Sequence, residues 1–207
     1  MSNKTLVCFY TEGATDLAFY NKLLEHLRGE SSTGKYSADK VEKQNIKGIG
    51  NFQNKLLRKF QNEILPYKKE GYHITVFLCY DKDVFDFNKQ PPVDRKKLEK
   101  DLRKAGADNV VHIVANRSIE DIFLTDEASI ISYLHLKKKD LSSISGSGYE
   151  RLKKLYRRAN LVYYKGEKVE GFVEKLDMKR ICCEHCKTFQ PICEILFLDL
   201  VCSIRQS

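Results

Sequence analysis

The sequence predicts an α/β protein in which a parallel sheet of about four strands is flanked by helices. Short apolar runs typical of strands alternate with amphipathic segments of helical spacing through residues 5–135. The run HITVFLCY at 73–80 is continuously apolar, β-branched and aromatic, as expected for a strand covered by helices on both faces. Residues 136–207 are predicted to form a basic, mostly helical extension that packs on this 1–135 core.

In the first part of the chain, apolar runs indicate the strands, and apolar residues repeated at helical spacing indicate the helices. The second helix is expected to stop near Pro66, because proline lacks the N–H that would continue a helical hydrogen-bond ladder. The predicted elements are a strand at 5–12, a helix at 14–27, a weakly patterned edge strand at 41–48 and a helix at 52–64.

The second part of the chain continues the alternation and then becomes less regular. A charged helix is predicted to end at Gly106, a residue type favoured just after a helix. The predicted elements are the strand at 73–80, helices at 93–106 and 116–134, the strand at 109–115 between them, a basic glycine- and serine-bearing connection at 136–148, a basic helix at 149–159, a short apolar strand or turn at 160–168, and helical sequence from 171 onwards.

Composition bounds the class of protein without identifying it. The net charge of +8 suits a polyanionic partner such as nucleic acid, although a solvated lysine-rich surface explains it equally well. No apolar run approaches the ~18 residues of a membrane span, and the N-terminus does not resemble a signal peptide. The seven cysteines are therefore expected to be reduced thiols, and the protein is expected to be cytoplasmic, with no membrane partner.

Acidic residues follow three of the predicted strands. Glu12 ends the first strand, Asp81 and Asp83 follow the third, and Glu120 follows the fourth, while Asp16 lies one turn into the first helix. The carboxyl ends of parallel strands meet at one edge of a sheet, so these side chains are expected to cluster there. Each alone could be a helix cap or turn residue, but clustered carboxylates repel unless a cation lies between them. Oxygen ligands of this kind suit Mg²⁺ or Mn²⁺.

The runs TEGATD (11–16) and YDKD (80–83) resemble the glutamate and Asp-x-Asp motifs of the Toprim domain. The similarity is closer to the Toprim nucleases of the overcoming-lysogenization-defect (OLD) family and to small Toprim proteins of phage-defence systems. Those proteins also carry an acid four residues after the glutamate, a Ser-x-Glu after the fourth strand, matched here by SIE (118–120), and a later lysine, for which Lys165 is the candidate.

This resemblance implies a Toprim fold and hydrolysis of nucleic-acid phosphodiester bonds with two Mg²⁺ or Mn²⁺ ions. It implies that Lys165 offsets charge on the scissile phosphate, that Glu12 acts at the main site, and that Ser118 either orients a metal-bound water or merely caps a helix. The implied metal ligands are Glu12, Asp16, Asp81, Asp83 and Glu120.

Two departures from the family patterns narrow this expectation. Phe85 stands where topoisomerases usually have a third aspartate, which argues against a topoisomerase. The chain has no GxxxxGK[ST] loop, so any ATPase would be a separately encoded partner. A non-catalytic Toprim-fold subunit docking on such an ATPase, and a primase-like nucleotidyl transferase, remain alternatives. Whether the substrate is DNA, RNA or tRNA, and whether the chain forms a homo-oligomer, stay open.

Two further features of the extension have competing interpretations. Cys182, Cys183, Cys186 and Cys193 include one C-x₂-C pair and could bind zinc, but their spacing is irregular and buried thiols in a helical segment are the simpler reading. The basic helix at 149–159, preceded by lysines at 137–139, could bind a nucleic-acid backbone or could simply face solvent.

Overall fold

The computed structural model describes residues 4–82, 93–137, 144–166 and 169–200. Several sequence-predicted features lie outside these ranges: Asp83, Phe85, Lys138, Lys139 and the end of the C-terminal segment from residue 201.

The described chain forms an all-parallel, four-stranded sheet flanked by helices, which confirms the predicted α/β class and is compatible with a Rossmann-like, Toprim-type fold. The strand order is β2-β1-β3-β4, so the weakly patterned second strand does lie at an edge. The strands are β1 (Lys4–Thr11), β2 (Lys40–Asn45), β3 (Tyr72–Asp81) and β4 (Asn109–Ala115).

Outside the 49–69 connection, the described residues form eight α-helices that connect or follow the strands. The segment after β4, predicted as one stretch of helix, is divided in two, because the Asp126 side chain accepts a hydrogen bond from Ser129 N (3.3 Å) and begins a new helix. No helix in the described part of the chain is both long and apolar enough to cross a membrane. The helices are α1 (Ala14–Glu30), α2 (Arg95–Ala105), α3 (Ile119–Phe123), α4 (Glu127–Leu134), α5 (Gly148–Arg158), α6 (Glu170–Val173), α7 (Met178–Glu184) and α8 (Cys186–Leu196).

The connection between β2 and β3, at 49–69, is an irregular helical segment. It contains two π-helical stretches, Phe52–Leu56 and Phe60–Ile64. The second π-helical stretch ends at Ile64, just before Pro66, as expected. A short α-helix that was not predicted, Pro66–Lys69, then begins, with the proline in its first turn, where no N–H bond is lost. The wider π turns have a physical reason. Apolar residues repeated every four positions drift slowly around an α-helix, which has ~3.6 residues per turn, and wider π turns reduce that drift.

The sheet separates two apolar layers. On one face, β1 and β3 pack against the 49–69 segment and α2, with Phe52, Leu56, Phe60 and Ile64 all buried. On the other face they pack against α1 and against buried residues of α3–α8, so helices on both sides of residue 135 share one apolar cluster. The assignment of 1–135 and 136–207 as separate parts stays a prediction.

The chain direction across the sheet reverses between β1 and β3. From β1 the chain runs through α1, on one face, to β2; from β3 it runs through α2, on the opposite face, to β4 on the other side. The two helical connections therefore diverge and leave a crevice at the carboxyl ends of β1 and β3, the usual ligand site of open parallel sheets. Glu12 follows β1, and Asp81 ends β3, at this crevice.

Helix α5 is held against α3 by an approach that only glycine permits. Ser147 caps α5 by accepting from Glu150 N (3.3 Å), and the Glu150 side chain accepts from Ser147 N (3.0 Å). A Cβ on Gly148 would lie 2.5 Å from Asp121 N and 2.7 Å from Asp121 Cγ in α3. This contact fixes where α5 begins and therefore where the loop that follows it at 160–166 leaves.

We expect Gly148→Ala to lower the free energy of unfolding by about 1–3 kcal/mol, because a methyl group would overlap the α3 backbone. Gly29→Ala is the matched control: Gly29 is also helical, but nothing lies within 4 Å of its added Cβ. Removing a helical glycine there should raise the free energy of unfolding by about 0.5–1 kcal/mol. Urea denaturation of both variants measures the difference, and equal effects would contradict the close α3–α5 approach.

Candidate functional site

Asp81 connects three separate elements at the crevice. It is the last residue of β3, and its side chain is 2% exposed. Its Oδ1 accepts a hydrogen bond from Ile119 N at the start of α3 (2.8 Å), and its Oδ2 accepts one from Lys165 Nζ (3.0 Å). A carboxylate from β3 thus caps α3 and binds the cation of the 160–166 loop.

Glu120 lies beside Asp81 and is fully buried in the first turn of α3. Its Oε1 accepts a hydrogen bond from Tyr163 OH (3.2 Å), and its Oε2 lies 3.5 Å from Lys165 Nζ. The Tyr163 ring is itself packed against two aromatic rings of α5, with centroid distances of 5.9 Å to Tyr149 and 5.1 Å to Tyr156. The loop therefore contributes both a hydroxyl and an ammonium group to the acidic cluster.

Asp16 is the third buried acid of the cluster. Its Oδ2 accepts a hydrogen bond from Gly13 N (3.1 Å), which closes the N-terminus of α1. Next to it, the Thr15 hydroxyl accepts a hydrogen bond from Gly166 N (2.7 Å) and so joins the start of α1 to the loop. The aspartate four residues after Glu12 is thus a cap and, at the same time, a member of the cluster.

Glu12 lines a cavity of about 450 Å³ beside these acids. Its backbone carbonyl accepts a hydrogen bond from Gly48 N (2.7 Å), which brings the turn after β2 to the site. The cavity is lined by Glu12, Gly13, Ala14, Thr15, Asp16, Asn45, Lys47, Gly48, Lys165 and Gly166. It is open on one side to solvent, and acidic and basic groups both line it.

The turn after β2 presents Lys47 at the cavity in a constrained backbone conformation. Lys47 has φ +60°, in the left-handed region that L-residues rarely adopt. Asn45 Oδ1 accepts a hydrogen bond from Lys47 N (2.7 Å), and Asn51 Nδ2 donates one to Lys47 O (2.6 Å). Such conformations persist where the surroundings over-determine them, often at functional sites. The sequence reasoning missed Lys47, Asn45 and Tyr163; among them, only the Asn-x-x-Gly pattern at 45–48 offered a turn signal.

Burial and mutual repulsion perturb the titration of the cluster. Burial, reinforced by the charges of Glu120 and Glu12, raises the pKa of Asp81 to about 7, against the opposing effect of Lys165. Burial and the neighbouring Asp81 raise the pKa of Asp16 well above its usual range. Burial disfavours the charged form of Lys165, but Asp81 and Glu120 outweigh it, so the pKa of Lys165 is raised. The raised pKa values favour the protonated forms of Asp81 and Asp16, because the cluster brings several buried carboxyl groups together around one ammonium group.

The chemistry of these side chains fits a hard divalent cation. The ligands available are carboxylate oxygens, and Glu120 Oε2 is buried without accepting a hydrogen bond from the described residues. Within those residues, however, no three His, Cys, Asp or Glu side chains are arranged to hold a metal ion. The Lys165 ammonium contacts both Asp81 and Glu120, and Asp83, the other acid of the YDKD motif, lies outside the described ranges.

Ser118 and the cysteines are placed differently from the acids. Ser118 precedes α3, but its side chain makes no capping hydrogen bond. Its Oγ instead donates a hydrogen bond to Asp121 Oδ2 in α3 (3.0 Å). Its proposed catalytic role stays a prediction. The cysteines at 182, 183, 186 and 193 lie on α7 and α8 with exposures ranging from buried to exposed, and none of them belongs to a metal-holding group among the described residues.

No family model matches the chain, and no curated protein or solved structure is significantly similar to it. The function must therefore be inferred from the site itself and from the motif resemblance.

We expect Asp81→Asn to change how stability depends on pH, measured in EDTA. A carboxyl whose pKa rises from 3.8 in the unfolded chain to about 7 in the folded one stabilises the fold below pH 4. That contribution is lost as the pH rises through 7. The free energy of unfolding of the wild type minus that of Asp81→Asn should therefore decrease by on the order of 2 kcal/mol between pH 5 and pH 7.5.

The variant difference is the correct readout because His112 and His185, whose pKa values are lowered by burial, titrate in both proteins and cancel. Asp101→Asn, on α2, is the control for replacing an aspartate outside the acidic cluster. A wild-type–Asp81→Asn difference that stays constant from pH 5 to pH 7.5 would contradict the buried, charge-coupled environment of Asp81.

Proposed function

We propose that the chain is a metal-dependent nuclease that hydrolyses phosphodiester bonds in nucleic acid. Glu12, Asp16, Asp81, Asp83 and Glu120 would hold Mg²⁺ or Mn²⁺, two ions in all, in line with the resemblance to Toprim nucleases. A bound divalent ion supplies the nucleophile by lowering the pKa of a water, and it stabilises the leaving oxygen.

The observation that carries this proposal is the excess of buried carboxyl groups over cations at the crevice among the described residues. Asp16, Asp81 and Glu120 are each at least 98% buried, while one ammonium group, Lys165, contacts two of them. Buried carboxylates without compensation destabilise a fold, so proteins usually keep such clusters for a cation or a reaction. The position at the topological switch point of the sheet favours the same interpretation.

Lys165 is suited to neutralise a phosphate at this site. Its side chain is 36% exposed, although its Nζ contacts the buried Asp81, so the ammonium group lies between the acids and the cavity. An ammonium group has three donors, and a phosphate oxygen in the cavity could accept from one that the carboxylates leave available. Charge that develops on the scissile phosphate would then be offset by a preorganised cation.

The biological role follows from the resemblance rather than from the geometry. Similarity to the OLD-family and small phage-defence Toprim proteins favours an antiviral effector working with a separately encoded ATPase. One observation favours the non-catalytic alternative. Lys165 already binds Asp81 and Glu120, and an ammonium group in contact with these carboxylates competes with a metal ion for them. Weak metal binding is what we expect of a subunit that only docks on a partner. The cleavage experiment below distinguishes these roles.

We expect the protein to degrade labelled DNA or RNA in the presence of Mn²⁺ or Mg²⁺, and Asp81→Asn to reduce the rate at least about 100-fold, since even outer-shell changes at metal sites cost 10–100-fold. Single strands, duplexes and tRNA should be compared by gel electrophoresis. Asp101→Asn is the matched control and should cleave like the wild type.

Equal background degradation by wild type and Asp81→Asn, with the ATPase partner also supplied, would refute the nuclease proposal and leave the docking subunit. Incorporation of labelled nucleotides into product would instead identify a nucleotidyl transferase. Metal binding itself is measured by calorimetry with Mn²⁺, which requires no turnover.

We expect Lys47→Asn to raise the KM for nucleic acid about 3- to 30-fold with a smaller change in kcat, because the Lys47 amine would bind a phosphate beside the scissile one. Asparagine tolerates the left-handed backbone of this position, so the substitution removes the charge without adding strain. Lys47→Arg keeps the charge and should restore most of the affinity. An unchanged KM in Lys47→Asn would exclude this role.

A further inference from the structure

The loop at 160–166 exposes apolar side chains beside the acidic cluster. Leu161, Val162 and Tyr164 are 47%, 60% and 59% exposed, and they are three of the four large exposed apolar residues among those the structure describes. Tyr164 directly precedes Lys165, so their Cα atoms are ~3.8 Å apart across a trans peptide bond. Lys165 contacts the acids while the Tyr164 ring is directed to solvent, so a strand whose phosphate reaches Lys165 has to pass the short loop that carries Tyr164.

The exposed side chains are carried by a loop that is held at both ends. Leu161 N donates a hydrogen bond to Tyr156 O (2.8 Å), which continues the end of α5. Tyr163 is buried and bonded to Glu120, and Gly166 N is bonded to Thr15. Ligand binding would cost little ordering entropy at such a loop, because its backbone is already positioned.

The helix that precedes this loop is strongly basic. Residues 149–166 contain six basic side chains and one acidic side chain, a net charge of +5 out of +8 for the whole chain. Arg157 and Arg158, exposed in the last turn of α5, immediately precede the loop. The combination of an exposed aromatic ring with adjacent cations is the one that proteins use for single-stranded nucleic acid.

We propose that the 160–166 loop and the last turn of α5 bind an unpaired nucleic-acid strand, with Tyr164 stacking on the base next to the phosphate held by Lys165. This inference rests on the proposed nuclease function and assigns its substrate class. Only an unpaired base exposes its face to a side chain, so stacking on Tyr164 selects single strands or loops over regular duplexes. Arg157 would bind a neighbouring phosphate of the same strand.

The charge distribution favours a nucleic acid over a protein at this surface. An apolar protein partner bound to Leu161, Val162 and Tyr164 would have to desolvate the exposed Arg157 in the adjoining last turn of α5, which is costly without an opposite charge. An unpaired strand instead uses the same features together: its bases contact the apolar side chains, and its phosphates contact the arginines and Lys165.

The test is an equilibrium binding measurement in EDTA, where the proposed metal-dependent cleavage cannot occur. Binding is measured by fluorescence anisotropy. The probe is a labelled single strand of about 12 nucleotides, compared with the duplex of the same sequence. Tyr164→Ala should weaken single-strand binding about 5- to 100-fold and leave duplex binding unchanged, whereas Tyr164→Phe should stay within about twofold of the wild type. Arg157→Gln should lower the slope of log affinity against log salt by about 1.

Leu198→Ala is the matched control, because Leu198 is 71% exposed but lies outside the loop, and it should bind like the wild type. Tyr164→Ala binding single strands within twofold of the wild type, or wild type binding duplex as tightly as single strand, would overturn the proposal. A third outcome would also overturn it: sedimentation shows that the wild type is a dimer, and Tyr164→Ala dissociates the dimer but still binds the oligonucleotide. Tyr164 would then belong to a protein interface.

These outcomes are separable from the fate of the nuclease proposal. Single-strand preference dependent on Tyr164, without cleavage in Mn²⁺, would preserve the binding surface and refute the enzyme. Metal-dependent cleavage with the same KM for single strands in the wild type and in Tyr164→Ala would support the nuclease proposal and refute the proposed strand-binding surface.

Discussion

The ion-pair contacts between the Lys165 ammonium group and the buried carboxyl groups of Asp81 and Glu120 are the interaction on which this edge of the molecule depends. The ammonium group contacts Asp81, 84 positions earlier in the chain, and Glu120 at the start of α3. Without it, three buried acids would face one another with no cation from the described chain. Removing the Lys165 ammonium group would leave the buried Asp81 and Glu120 carboxyl groups uncompensated, which destabilises the fold. The same contact therefore positions a candidate catalytic group and holds β3, α3 and the loop together.

The acids of the cluster are structural groups as well as candidate ligands. Asp81 closes the N-terminus of α3 with one oxygen and binds Lys165 with the other, and Asp16 closes the N-terminus of α1. A negative charge near a helix N-terminus is favourable, which offsets part of the cost of burying these carboxylates. Because fold and site share the same atoms, stability and activity must be measured separately in any variant of Asp81 or Asp16.

A chain of contacts leads from the helical layer to the proposed substrate surface. Gly148 lets α5 approach α3 closely, α5 supplies the two tyrosine rings that enclose Tyr163, and Tyr163 fixes the loop by its bond to Glu120. Tyr164 and Lys165 are consequently presented in a fixed order, aromatic ring first and ammonium group second. The helices after residue 147 thus complete a site whose acids all come from the preceding part of the chain.

The sequence by itself determined the parallel α/β class, the edge position of the second strand and the clustering of Glu12, Asp16, Asp81 and Glu120, because apolar periodicity and strand-end acids are local signals whose meaning the sheet geometry fixes. The motif resemblance singled out Lys165 as well. Only the tertiary structure decided what the acids contact, the wide turns of the 49–69 segment, and the roles of Tyr163 and Lys47. Those depend on pairings between residues distant in the chain and on a strained turn held by several hydrogen bonds, and no local pattern encodes such pairings.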